Sequence, residues 1–303
     1  MCLLISHSIF KRVFGRQTDP PLDEIDLNGT HYEEWKDIIY GSIKRLRALS
    51  WEKLYIKGCN GDKLSALRYD NGSDKTAVLY HGYRTHHFSN TAVAAGYFLD
   101  RGYNLILIIS RGHEGSEGQY ITFGALEHKD LLLWLDMFEK KLGLKKMVIY
   151  GISLGSNVVM RASEFIKPGA VKAIIADCGF INTKTIIHTQ VAARSKNKFQ
   201  RIVFPFLAVP VVRGMRHHAK KAGFDIFDGD TRVSVSRTKI PIFFIHGEKD
   251  DVVPIKETKE NFKACASPKD IFISKRASHG GSFADGGEEL ARMLDSFLAK
   301  YVN

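Results

Sequence analysis

The chain has 303 residues, 44% hydrophobic and 25% charged, the balance of a soluble globular protein long enough to bury a large core. Its four cysteines (Cys2, Cys59, Cys178, Cys265) are scattered with no C-x-x-C pair, which argues against a zinc site or a disulfide framework and suits a reducing, cytoplasmic compartment. A net charge of +11 favours contact with anionic surfaces.

The opening "MCLLISHSIFKRVFGR" is mostly apolar before Lys11 and Arg12. It falls well short of the roughly 20 apolar residues of a membrane span, and its positive charge follows the apolar run where a secretory signal would place it before. The favoured expectation is a tail that frays or packs on the surface. The alternative is a weak interfacial anchor, with Lys11, Arg12 and Arg16 on anionic membrane lipid. Residues 32–49 carry Trp35, Ile38, Ile39, Ile43, Leu46 and Leu49 at helical spacing. Residues 1–50 are therefore expected to be an N-terminal tail and amphipathic helix, ahead of a main domain over 51–302.

Within that domain, "WEKLYIKGCNGDKLSALRY" predicts two strands joined around Asn60-Gly61. "KTAVLY" is a third strand, and "HFSNTAVAAGYFLDRG" a helix stopped at Gly102. "YNLILII" is the continuous apolar run of a strand buried on both faces of a parallel sheet. Helix and strand then alternate through "GALEHKDLLLWLDMFEKKLG", "KKMVIY", "SNVVMRASEFI" and "VKAIIAD". They alternate again through "PIFFIHG", "IKETKENFKAC" and "DIFISK" to a closing helix over about 288–301. This order predicts an α/β fold with a mostly parallel sheet flanked by helices. Residues 179–238 break the alternation and are too many for a plain loop, so an inserted helical cap is expected. From Cys178 to Phe224 there are nine Lys or Arg and no Asp or Glu, around the proline-split apolar stretch "FPFLAVPVV". The cap is either a solvated charged lid or a surface that draws in anionic substrate or lipid, with the apolar stretch lining an acyl pocket.

The chemistry centres on "KKMVIYGISLGSNVVMRA", which reads strand, sharp turn, helix. A G-x-S-x-G alone is a weak signal in a chain with 26 glycines, but this setting is the one a nucleophile elbow requires. Ser153 would project its hydroxyl above the sheet. Gly151 and Gly155 would let strand and helix approach, and the Leu154 N–H would donate to an oxyanion at the helix N-terminus. A serine needs a base. His279, in "KRASHGGSF", stands between the last strand and the last helix. "FFIHGEKDDVVP" offers the acid: Asp250 by its offset in H-G-x-x-D-x-x-V-P, with Asp251 as runner-up. The chain order Ser153, Asp250, His279 is that of an α/β-hydrolase triad. The second oxyanion donor is expected from "LYHGYRTHH". There Gly82 turns the backbone, Tyr83 supplies the N–H, and the His81 side chain braces the loop. His86, His87, His217 and His218 form pairs without acidic or cysteine neighbours and are read as exposed loop residues, not a metal site.

With "LYHGYR", "GHEGSEGQYITFGALEHKDLLLWL", "YGISLGS", "IIADCGF", "IHGEKDDVVP" and "ASHG" in order, residues 51–302 resemble the α/β-hydrolase superfamily. Within it they look like bacterial serine hydrolases described as serine aminopeptidase-like. The resemblance implies a Ser–His–Asp hydrolase with no cofactor, and departs from the usual pattern at Ile109 and Glu114, where relatives carry aspartate and glycine. The expected activity is hydrolysis of a carboxylic ester with an apolar acyl group. A peptidase or amidase is the alternative, and a degenerate fold acting as a binding or scaffold protein is the non-enzymatic one. No nucleic-acid module is present, because the basic residues are not interleaved with aromatic ones.

Overall fold

The six residues Asn104–Ile109 are buried throughout, which is possible only with apolar layers on both sides of their strand. In the computed structural model, which describes residues 2–16, 25–193 and 198–302, they form β4 of an eight-stranded sheet. The others are β1 (Glu52–Lys57), β2 (Lys63–Tyr69), β3 (Lys75–Tyr80), β5 (Lys146–Ile152), β6 (Val171–Asp177), β7 (Ile242–Gly247) and β8 (Lys269–Ser274). Their order is β1-β2-β4-β3-β5-β6-β7-β8. β2 runs antiparallel to β1 and β4, and the remaining pairs are parallel. The two-residue period of a strand divides β4 between two cores. Ile106 and Ile108 pack with Trp134, Phe138 and Val158 on one side, and Leu105 and Leu107 with Phe98, Leu294 and Phe297 on the other.

After β3 the chain steps outward to β4, then crosses back to place β5 on the other flank of β3. That reversal opens a crevice at the carboxyl ends of β3 and β5, the place where open α/β sheets take their ligands. Helix α3 (His87–Asp100) follows β3, α4 (Glu127–Lys140) follows β4, and α5 (Leu154–Ala162) follows β5.

The N-terminal expectation needs correcting. Cys2–Phe14 form helix α1, whose Phe10 and Phe14 belong to the central core with Phe123 and Phe224. Segment α1 therefore neither frays nor merely rests on the surface. A Cβ on Gly214 would fall closer than 3.0 Å to the Ser6 side chain, so glycine lets α1 press against the cap helix. Beyond α1, Ile121 donates its N–H to the Phe14 carbonyl (2.7 Å) and Arg16 its N–H to that of Gln119 (2.8 Å). Leu4 and Ile5 remain exposed.

Expected helix 32–49 is a 3-10 turn at Glu33–Trp35 leading into α2 (Lys36–Arg47). Ile38, placed on its apolar face by spacing, is half exposed. The segment expected to form a cap holds α6 (Thr183–Ala193), α7 (Lys198–Lys221) and α8 (Thr231–Arg237). The prolines of "FPFLAVPVV" do not split α7, which runs helical through Pro205 and Pro210. Helix α9 (Ile255–Ala264) lies between β7 and β8. The closing helix α10 begins at Ser282, ahead of the expected start, and breaks at Gly287, where φ 44° is outside helical space.

Candidate active site

Ser153 sits between β5 and α5 with φ 55° and ψ −112°, a backbone region that costs a non-glycine residue about 1–3 kcal/mol. Two glycines permit the turn. A Cβ on Gly151 would come closer than 3.0 Å to the Gly155 carbonyl, and one on Gly155 closer than 3.0 Å to the Tyr80 and His81 carbonyls. Helix α5 thus rests directly on the end of β3.

The side chains of Ser153, His279 and Asp250 meet in one hydrogen-bonded chain. The His279 Nε2 lies 2.8 Å from the Ser153 Oγ, and its Nδ1 lies 2.7 Å from the Asp250 Oδ2. A carboxylate can only accept, so Nδ1 carries the proton and Nε2 is free to accept from the serine hydroxyl. Asp250 is fully buried. Its Oδ1 accepts the N–H groups of Val252 (2.9 Å) and Val253 (2.8 Å), and its Oδ2 lies 3.2 Å from the His246 Nε2. Burial alone would raise its carboxyl pKa. The hydrogen bonds from His246 and His279 outweigh burial and hold it well below the usual carboxylate range. Asp251 is exposed.

Leu154 is the first residue of α5, so its N–H has no acceptor within the helix. On the facing loop, Gly82 donates its N–H to the Asn90 Oδ1 (2.7 Å) and Arg84 to the His113 Nε2 (3.1 Å). The Tyr83 N–H lies between these two fixed amides. A Cβ on Gly82 would stand 3.4 Å from that of Ser153, so the loop borders the serine.

The family described as alpha/beta hydrolase fold matches residues 78–209. The Pyrococcus furiosus esterase Pf2001 superimposes with a TM-score of 0.67 over 94% of this chain and 100% of its own, at 20% identity. An esterase of Exiguobacterium antarcticum does so with a TM-score of 0.58 over 81% and 98%, at 15% identity. The protein YqkD of Bacillus subtilis (strain 168) is 24% identical over 229 residues, 74% of this chain and 70% of its own. The chain folds as an α/β-hydrolase.

Sequence reasoning did not pick out Tyr32, His113 or His246, which hold the residues of this candidate site. His81, the residue expected to brace the loop after β3, is buried there. Its Nδ1 donates to the Gly82 carbonyl (2.8 Å) and its Nε2 accepts the Ser110 N–H (3.0 Å). Burial, with His113 nearby, pushes its pKa well down, so it stays a neutral strut. His113 does the same for Arg84, and burial lowers its pKa to about 4. Tyr32 donates its hydroxyl to the His279 carbonyl at 2.8 Å. His246 donates from Nε2 to the Val253 carbonyl (2.9 Å) and accepts from Thr258 at Nδ1 (2.7 Å), fixing the turn that carries Asp250.

The loop with the two sequence departures is well built. Ile109 is buried, and the Ser116 hydroxyl donates to its carbonyl (2.7 Å) while accepting the Ser65 N–H (2.9 Å). The Arg111 Nε donates to the buried Asp130 at 2.7 Å. Arg16 reaches in from beyond α1 to the carbonyls of Ser116 (2.6 Å) and His113 (3.1 Å).

The histidine pairs are not all exposed. His87 is buried at the start of α3, His86 caps that helix by accepting the Phe88 N–H, and His218 packs on His7 and Phe10. Of the ligand-bearing residues, Cys178, Asp250 and His279 bring their atoms within 4.8 Å of one another. Burial pushes the Cys178 thiol pKa well up, and the two oxygens of Asp250 are already taken by hydrogen bonds, so the set is a poor cation site. Cap basicity is partly neutralised within the cap: Arg216 pairs with Asp225 at 2.6 Å. Among the described residues no helix is long and apolar enough to cross a membrane.

Proposed function

We propose that the protein is a serine hydrolase that cleaves a carboxylic ester through an acyl-enzyme, with residues 51–302 as the catalytic domain and 179–238 as its cap. The observation that carries this reading is the chain Ser153 Oγ, His279, Asp250 at the crevice where strand order reverses. As Ser153 attacks the carbonyl carbon, His279 Nε2 takes its proton. Asp250 holds the imidazole in the required tautomer and stabilises its cation. The Leu154 and Tyr83 amides receive the developing oxyanion, a form of stabilisation whose loss at one donor costs about 10²–10³ in kcat. His279 then gives its proton to the leaving alkoxide. Water attacks the acyl-enzyme with His279 as base, the acid departs, and Ser153 regains its proton.

The test is a fluorophosphonate probe applied to the protein and to Ser153→Ala, with p-nitrophenyl ester turnover measured on both. Labelling and turnover that vanish together in the variant support the reading, and equal labelling of the two proteins refutes it. A peripheral contact with anionic membrane is a second proposal, supported by exposed Leu4 and Ile5 on the helix that carries exposed Lys11 and Arg12. Co-sedimentation with phosphatidylserine vesicles, weakened by Leu4→Glu, is the expected result. Absence of sedimentation would remove it.

A further inference from the structure

The stretch "SHGGS" places two glycines directly after His279. Gly280 has φ 72°, in the left-handed region, and glycine gives the backbone on that side of His279 few restraints of its own. An imidazole carried on such a loop is held in place by what packs on the loop from outside. Residues 32–35, ahead of the first sheet strand, meet it at three points. The Tyr32 hydroxyl donates to the His279 carbonyl at 2.8 Å. The buried Trp35 ring lies against Gly281, where a Cβ would stand 3.1 Å from it. Glu34 pairs with Arg276 at 2.7 Å, but both side chains are exposed and the pair adds little. Glycine at 280 admits the tyrosine, since a Cβ there would stand 2.8 Å from the Tyr32 hydroxyl. The donor is itself fixed. The Tyr32 N–H donates to the Thr30 Oγ1 (3.1 Å), its carbonyl accepts the Trp35 N–H (2.9 Å), and Trp35 belongs to the same core as Ile39 and Ile43. Burial, with Cys178 and Asp177 nearby, pushes the phenol pKa up, so the hydroxyl keeps its proton and remains a donor.

We propose that Tyr32 is a positioning residue: through its hydroxyl the N-terminal segment holds the His279 main chain, so that the imidazole spans Asp250 and Ser153. The proposal rests on the serine-hydrolase reading above. Tyr32 acts through the base and not on the substrate, so its loss is read in kcat and not in KM. Losing one neutral hydrogen bond is worth about 2–10-fold. A catalytic group displaced by about 1 Å loses about 10²-fold. Removal of the hydroxyl therefore lowers kcat about tenfold, between these two limits.

The experiment compares the full chain with Tyr32→Phe, which keeps the ring and removes only the hydroxyl, with thermal melting as the check on folding. Three quantities are measured: p-nitrophenyl acetate turnover, the rate of fluorophosphonate labelling, and the downfield proton resonance of the His279 Nδ1–H. In the variant kcat and the labelling rate should fall about tenfold, KM should stay within about twofold, and the resonance should move or broaden. An unchanged kcat with a lowered melting temperature makes Tyr32 merely structural and overturns the proposal. A raised KM at unchanged kcat overturns it as well. Gly280→Ala, whose methyl would press on the same hydroxyl, attacks the contact from the other side. Combined with Tyr32→Phe it should lose less than the product of the two single losses, because the clash goes with the oxygen; a loss equal to the product overturns the coupling. A parent that neither labels nor turns over ester refutes the hydrolase reading. The resonance then decides the positioning by itself, and an unchanged signal in Tyr32→Phe overturns it.

Discussion

Replacing Asp250 by asparagine changes no volume and reverses one set of donors. The carboxylate now accepts four hydrogen bonds, two from the Val252 and Val253 amides and two from histidine nitrogens. An asparagine oxygen can keep only one of these pairs. If it stays on the valine amides, its NH₂ faces the Nδ1 of His279 and the Nε2 of His246. His246 must keep its proton for the Val253 carbonyl, so His279 is the ring that turns over to the tautomer protonated at Nε2. That nitrogen then meets the Ser153 hydroxyl as a donor and cannot serve as base. Loss of the correct tautomer in a Ser–His–Asp enzyme costs about 10⁴ in kcat, equivalent to about 5.5 kcal/mol of barrier. Stopped-flow acylation with p-nitrophenyl acetate measures this step directly, and circular dichroism checks the fold. Asp251→Asn, at an exposed position, serves as the comparison and should stay within a few-fold of the parent. An acylation rate in folded Asp250→Asn within tenfold of the parent would refute the role given to the carboxylate.

Gly155→Ala should lower the melting temperature sharply and abolish fluorophosphonate labelling, because the new methyl meets the Tyr80 and His81 carbonyls at the end of β3; normal labelling would contradict the close approach. Phe14→Ala, at a fully buried ring packed on Phe10, Phe123 and Phe224, should cost about 3–5 kcal/mol in chemical denaturation, where a loose tail would cost nothing. Asp177 is fully buried, and desolvation, only partly offset by the Tyr150 hydroxyl, raises its pKa to about 6 from an ordinary 3.8. Its folded state therefore holds a proton that the unfolded chain releases, and stability falls as pH rises from about 4 to about 6, by about 3 kcal/mol for a two-unit shift. Asp177→Asn removes that slope, so the variant should gain on the parent across this window in urea titrations. Parallel curves at pH 4 and pH 7 would show that Asp177 is not perturbed.

What could be read in the sequence was local. The elbow needs small residues flanking a serine between a strand and a helix, and Gly151, Ser153 and Gly155 lie within five residues of one another. Asp250 and His279 stand at strand ends, where apolar runs stop abruptly, so their places in the crevice follow from strand order. The supporting groups were hidden for the opposite reason. Tyr32 reaches His279 across 247 positions, and His113 reaches Arg84 across 29; neither has a local pattern that marks it. The burial of α1 depended on Gly214, far along the chain, being small enough to admit Ser6. Periodicity also misjudged Ile38, because a helical stripe shows which residues share a face and not how wide the covering surface is. Pro205 and Pro210 argued for a break in α7, yet the helix continues through both.

The attachments of α1 bear on how the protein can be handled. The Val13 carbonyl accepts the Tyr83 hydroxyl at 2.7 Å, and the Arg12 carbonyl accepts from the Arg84 guanidinium. The residue proposed to supply an oxyanion amide is thus moored to the first fifteen residues. A truncation that begins at the first sheet strand would remove that mooring, together with the aromatic contacts of Phe10 and Phe14 with Phe224 and Phe123.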